Sequence, residues 1–154
     1  MSPNPTTTPP SSGGEQALTQ ADVELLAAAR EALPHAMCKE SGFPVGAAVR
    51  MESGKVFAGV NVESASYGLT QCAERAAVAA AVAATGERKI VAVAVVTKTA
   101  GPVTPCGACR QVLAEFGADM RVVMAGTEAE PWVTSMGVLL PHPFLLLPDE
   151  DSLS

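Results

Sequence analysis

Aromatic residues are scarce. The 154-residue chain holds four Phe, one Tyr and one Trp, 4% in all. A core so short of large rings must be filled mainly by Ala and Val, and each ring that remains is worth locating. Basic residues are also few: Lys and Arg number 10 against 16 Asp and Glu, a net charge of −6. That balance excludes the basic surface that a non-specific nucleic-acid or anionic-membrane binder needs. Long hydrophobic runs are missing. The longest Ala/Val stretch, Ala76 to Ala84, follows Glu74 and Arg75 and precedes Gly86. It falls well short of the ~20 residues of a membrane span. No basic segment followed by an apolar run opens the sequence, so export is not expected and a cytoplasmic protein is.

What is present is one domain's worth of chain, 48% apolar and 17% charged. It is long enough to bury a core without disulfide staples. Residues Ser2 to Gly14 are Pro, Thr, Ser and Gly with one Asn, too polar to offset the entropy of ordering. We expect tails at 1–16 and 149–154 around one domain at 17–148. Thr19 is placed to cap a helix, with Asp22 in its first turn and Leu18 and Val23 as a hydrophobic staple. Leu25, Leu26, Ala29 and Leu33 share a face, and Pro34 ends the helix. Strands are expected at 45–51 and 55–61 around a Glu52-Ser53-Gly54 turn. A helix over 72–85 stops at Gly86. Ile90 to Val96 reads as a strand covered on both faces. A helix over 106–116 has Thr104 as the expected N-cap and Pro105 at its first position. A strand at 121–125, a short one at 131–134 and a short helix ending at 138–140 complete the order. The α/β pattern predicts a three-layer α-β-α sandwich with a mixed sheet of about five strands.

The four cysteines are Cys38, Cys72, Cys106 and Cys109. In a chain that is not exported, clustered cysteines are metal ligands or reactive thiols. Cys72-Ala73-Glu74-Arg75 and Pro105-Cys106-Gly107-Ala108-Cys109-Arg110 both fall where a helix is expected to start. Helix N-termini favour thiolate, the form that binds metal. Cys106 and Cys109 lie on one side of a helical turn, and Cys72 comes from the other helix start. Three such ligands leave the fourth zinc position open, as in catalytic rather than structural sites. Glu74 then suits a proton shuttle between water and a substrate nitrogen, the arrangement known from zinc deaminases. Cys38 could instead close a structural site, and Cys106 and Cys109 could form a redox pair. Neither alternative has a use for Glu74. His35 and His142, beside prolines, read as loop residues. On spacing alone, Asn61 and Glu63 read as partners of backbone groups, and Phe43 and Phe144 as core.

Several segments together resemble the small cytidine deaminase family, over about Leu18 to Phe144. They are Phe43-Pro44-Val45-Gly46-Ala47-Ala48, Gly59-Val60-Asn61-Val62-Glu63-Ser64-Ala65-Ser66-Tyr67, the two cysteine segments with Gln111-Val112-Leu113, and Leu139-Leu140-Pro141 with Phe144. The resemblance implies one Zn²⁺ per subunit on Cys72, Cys106 and Cys109, with Glu74 as the catalytic acid/base. It implies Asn61 and Glu63 on the ribose hydroxyl, Phe43 on the pyrimidine ring, and backbone contacts to the base at Ala65 and Ala73. Arg75 is expected to donate to a zinc-bound sulfur, offsetting the negative charge of three thiolates. Tyr67 and Phe144 are expected to close a pocket across the subunits of a homotetramer. The implied reaction is hydrolytic deamination of cytidine or 2′-deoxycytidine to the uridine form and ammonia, as in pyrimidine salvage. The substrate is then a free nucleoside, with neither nucleic acid nor membrane as partner. One segment departs: the family reads Pro-Tyr-Ser-x-Phe where this chain has Lys39-Glu40-Ser41-Gly42-Phe43. That departure keeps a second reading, a deaminase of a modified cytosine nucleoside of the blasticidin S type; a non-catalytic zinc-stabilised interaction domain is a third, independent of it.

Overall fold

The computed structural model describes residues 16–146. The expected tails lie outside the described residues except for Gln16, whose N–H donates to Val133 O (3.1 Å). Helix α1 spans Gln20–Ala32. Its start is a capping box: Thr19 Oγ1 accepts from Asp22 N–H, and Asp22 Oδ2 accepts from Thr19 N–H. Leu18 and Val23 remain largely exposed beside it. Pro34 cannot extend the helix, and the chain leaves through a 3₁₀ turn at Leu33–His35.

Strands β1 (Val45–Met51) and β2 (Val56–Val60) form an antiparallel hairpin. Helix α2 (Ala73–Thr85), strand β3 (Ile90–Thr97), helix α3 (Gly107–Phe116) and strand β4 (Arg121–Ala125) follow. Strand β5 (Trp132–Ser135) and a one-turn helix α4 (Met136–Leu139) complete the domain. The sheet order is β2-β1-β3-β4-β5. Only β3 and β4 are parallel, because α3 crosses over between them; the other pairs are antiparallel. The mixed five-stranded sandwich is the one expected. No helix among the described residues is long and apolar enough to cross a membrane.

The two-residue period of the strands divides the core. Val49, Met51, Val93, Val95, Val122 and Met124 join the cluster with α2 and α3. Ala48, Ala92, Ala94 and Ala125, with Val96 and Val123, lie with Leu25, Leu26 and Ala29 of α1. The α2/α3 face therefore carries the larger side chains. Each fully buried Val or Met contributes roughly 1.5–3 kcal/mol, so this face holds more of the hydrophobic stabilisation. Under α2 there is no side chain at one point. A Cβ on Gly59 of β2 would lie 2.4 Å from Ala77 N and 2.7 Å from Ala73 O, so only glycine lets the first turns of α2 rest on the strand backbone.

One expected feature is corrected. Thr104 is not the cap of α3; Cys106 is, and the helix begins at Gly107. The reason is Arg110. Its Nε donates to Pro105 O (2.8 Å) and its Nη2 to Thr104 Oγ1 (2.8 Å), so the groups that would start a helix at Pro105 are held by a side chain.

Candidate active site and metal centre

Cys72 and Cys106 occupy equivalent places. Each is the N-cap of its helix in an extended backbone conformation, φ/ψ −71°/151° and −64°/165°. Cys109 lies in the first turn of α3 and is fully buried. The crossover joining β3 to β4 carries the second cysteine pair to the edge of the sheet where β3 ends. The three Sγ atoms lie within 4.8 Å of one another, with Cys72 and Cys106 3.9 Å apart. Zinc–sulfur bonds of ~2.3 Å at tetrahedral angles place sulfurs ~3.8 Å apart, so the donor set fits zinc. Cys38 is not part of this cluster among the described residues.

Two arginines hold the cluster. Arg75 Nη2 donates to Cys72 Sγ (3.4 Å). Arg110, besides its grip on Thr104 and Pro105, donates from Nη1 to Leu139 O (3.0 Å), tying the cysteine loop to α4. Cys72 and Cys109 do not ionise alike. Cys72 is held down to about 5, by its hydrogen bond with Cys109 and, against burial, by the Arg75 guanidinium. Cys109 is pushed up by that same hydrogen bond, by burial and by the Glu74 charge. Arg75 stays firmly protonated beside the Cys72 sulfur.

Glu74, on the first turn of α2, is 5% exposed. Its Oε2 meets Cys109 Sγ at 3.7 Å. Burial raises its carboxyl above the ordinary value, and the Cys72 charge adds to the rise. A buried carboxyl beside a metal-binding cluster is suited to giving and taking protons.

A cavity of about 450 Å³ opens in front of these groups. Its wall includes Phe43, Asn61, Glu63, Cys72, Ala73, Glu74 and Cys106, with Ser41, Val95, Thr97 and Val103 among the rest. The register Val45↔Thr97 explains the meeting: the start of β1 and the end of β3 share one edge of the sheet. The volume suits a small molecule and the wall is mostly apolar, with a few polar groups.

The profile of the cytidine and deoxycytidylate deaminase zinc-binding region matches residues 19–126. The chain belongs to the cytidine deaminase family. It is 45% identical over 125 residues to the cytidine deaminase of Sporosarcina psychrophila, covering 80% of this chain and 91% of that one. It is 49% identical over 105 residues to the cytidine deaminase of Halalkalibacterium halodurans, covering 68% and 79%. The crystal structure of cytidine deaminase from Burkholderia pseudomallei superposes with a TM-score of 0.76, at 48% identity, covering 82% of this chain and all of that one. Membership in a zinc-binding deaminase family and the spacing of the sulfurs agree on zinc as the metal and on an enzyme.

Of the residues expected at the cytidine deaminase site, most converge. Phe43, Asn61, Glu63, Ala73 and Glu74 line the cavity with Cys72 and Cys106, and Cys109 and Arg75 adjoin it. Ala65, Tyr67 and Phe144 do not line it within one chain. Tyr67 is 75% and Phe144 72% exposed. Phe144 is nonetheless held: Gln111 Nε2 donates to its carbonyl and Gln111 Oε1 accepts from its N–H. Asn61 and Glu63 also make the backbone contacts that spacing alone suggested. Asn61 Oδ1 accepts from Val45 N–H (2.9 Å) and its Nδ2 donates to Phe43 O (2.8 Å). Sequence reasoning assigned no role to Arg110, Gln111 or Ser41. The first two sit inside the cysteine segment, where an arginine directly after a ligand pair is the available signal.

Proposed function

We propose that the chain is a zinc-dependent cytidine deaminase converting free cytidine or 2′-deoxycytidine to the uridine form and ammonia, in pyrimidine salvage in the cytoplasm. The observation that carries this is the buried Glu74 carboxyl beside three sulfurs spaced for one zinc, on the wall of a nucleoside-sized cavity. Cys72, Cys106 and Cys109 hold the metal, which when bound supplies a water acidic enough to lose a proton near neutral pH. Glu74 accepts that proton and passes it to N3 of the pyrimidine. The water oxygen bonds to C4, which becomes tetrahedral. Glu74, ionised again, takes the proton of the new C4 hydroxyl and delivers it to the amino group; the C4–N bond breaks as the C4 carbonyl forms, and ammonia leaves. Phe43 packs on the ring, Ala73 and Ala65 meet the base through their backbones, and Asn61 and Glu63 take the sugar hydroxyl. Arg75 keeps electron density on the Cys72 sulfur from accumulating.

The domain is the segment 17–148. Tyr67 and Phe144 complete the cavity of a neighbouring subunit in a homotetramer. Their exposure, and the double hydrogen bond that fixes Phe144, support that role. Sedimentation of the wild type and of Phe144→Ala tests it: a monomeric wild type overturns the assembly.

Ammonia release from cytidine, 2′-deoxycytidine and blasticidin S, with zinc content measured alongside, tests the activity. Turnover of cytidine that Glu74→Gln abolishes is expected. A zinc-loaded wild type as inactive as that variant on all three would overturn the enzyme reading, and a strong preference for blasticidin S would overturn the substrate.

A further inference from the structure

The segment that departs from the family pattern, Lys39 to Phe43, is held almost entirely by its main chain. Gly42 N–H donates to Cys38 O (2.8 Å), and Gly42 sits at φ +67°, a turn that a side chain there would strain. Glu63 reaches this turn from the chain beyond β2. Its Oε1 accepts from both Glu40 N–H and Ser41 N–H, each at 3.0 Å. Glu63's own N–H donates to Met37 O (2.8 Å), so one residue grips the segment from both sides of the turn. Ser41 Oγ then accepts from Phe43 N–H (3.0 Å), and Asn61 takes Phe43 O. Both backbone groups of Phe43 are thus spoken for. The Ser41 side chain also hydrogen-bonds the Glu63 carboxylate and, with the two N–H groups, holds it below its ordinary value.

We infer that Glu63 is a positioning residue for Phe43: one carboxylate oxygen latches the 39–43 turn and so sets the ring in the cavity wall before any sugar arrives. A carboxylate has more lone pairs than the latch uses, and these are left for a sugar hydroxyl. The latch reads residue 40 only through its N–H, and residue 41 through its N–H and its hydroxyl. The charge pair Lys39-Glu40 therefore replaces Pro-Tyr without loss of the turn, whereas an acceptor at 63 is required and Gly42 keeps the turn free of strain. For its substrate this rests on the cytidine deaminase reading; for the latch itself it does not.

The test uses zinc-loaded full-length protein and two readouts. The first is amide hydrogen exchange at Glu40, Ser41 and Phe43 without substrate. The second is deamination of 2′,3′-dideoxycytidine, whose sugar has no hydroxyl at either ring carbon to offer Glu63. Glu63→Ala should speed exchange at those amides and lower kcat/KM on dideoxycytidine, each by about tenfold, because charge-assisted hydrogen bonds are lost. Glu63→Gln keeps an oxygen that can accept both N–H groups and should stay within about threefold of wild type on both readouts. If Glu63→Ala loses activity on cytidine while exchange and dideoxycytidine turnover are unchanged, Glu63 is a sugar contact only and the latch is wrong. Gly42→Ala strains the turn without touching Glu63 and should shift both readouts in the same direction, and unchanged readouts there also overturn the inference. A wild type that deaminates no cytosine nucleoside sinks the functional reading, while the exchange measurement still decides the latch.

Discussion

Two helices of this protein begin with a buried acid in the first turn, and the two acids have opposite circumstances. Asp22 on α1 is 1% exposed and Glu74 on α2 is 5% exposed. Asp22 is saturated. It accepts from Thr19 N–H, and Arg121 closes on it with Nε to Oδ1 (2.8 Å) and Nη2 to Oδ2 (2.7 Å). Burial alone would raise its carboxyl, but the Arg121 and Thr19 hydrogen bonds outweigh burial and hold it below its ordinary value. Glu74 has no such partner. Its neighbour Arg75 turns its guanidinium to a sulfur instead, and the Glu74 carboxyl moves up. Burial does not separate a structural acid from a chemical one. What separates them is whether the oxygens are already spent on permanent donors, because only an unspent carboxyl can pass a proton on.

The largest effect should come from Glu74→Gln. Removing a general acid–base of this kind costs about 10²–10⁴-fold in kcat. The melting temperature should hold or rise, since no stabilising partner is lost. Ammonia-release kinetics and a thermal melt on the same sample check both halves, and retained activity within tenfold of wild type would break the contrast. Asp22→Asn should do the reverse. It breaks a buried ion pair and costs about 3 kcal/mol of stability by urea denaturation, with kcat/KM per folded molecule unchanged. A drop in activity without loss of stability would show that α1 reaches the chemistry after all.

The sign of the acid response sharpens the contrast. The folded carboxyl of Asp22 is more acidic than the unfolded one. Its contribution is therefore complete above about pH 4 and is lost as pH falls through the folded value. Denaturation curves below pH 4 should be shallower in pH for Asp22→Asn than for wild type. Smallest is Thr19→Ala, which removes one side of the capping box and should cost about 1 kcal/mol with zinc content and activity intact.

The same contrast explains what could be read along the chain. The Thr19 cap, the end at Pro34 and the buried run from Ile90 are written in neighbouring residues, and so were the three cysteines and Glu74. Arg121 is invisible to that kind of reading: it meets Asp22 only because β4 lies in the same sheet that α1 covers. Arg110 misled it, since its guanidinium took the Thr104 hydroxyl that made Thr104 look like a cap, and the Pro105 carbonyl beside it. Asn61 and Glu63 sit between the two cases. Their spacing suggested backbone partners and the family suggested a sugar; the backbone partners are present, with both polar atoms of Asn61 and one oxygen of Glu63 committed to main chain.

Gly59 has a bearing on how far this site can drift. Side chains act as shims between layers: they can be thinned, thickened or exchanged, and the gap between a helix and a sheet is retuned. Under the turn that carries Cys72 and Glu74 there is no shim, only one main chain lying on another. The height of that turn above the sheet is set by backbone contact and does not respond to the volume of the Ala/Val core around it. It is the fixed datum of the layer. Reshaping the cavity for a bulkier nucleoside must then come from the walls around Ser41 and Val103, while the floor that holds metal and acid stays where it is.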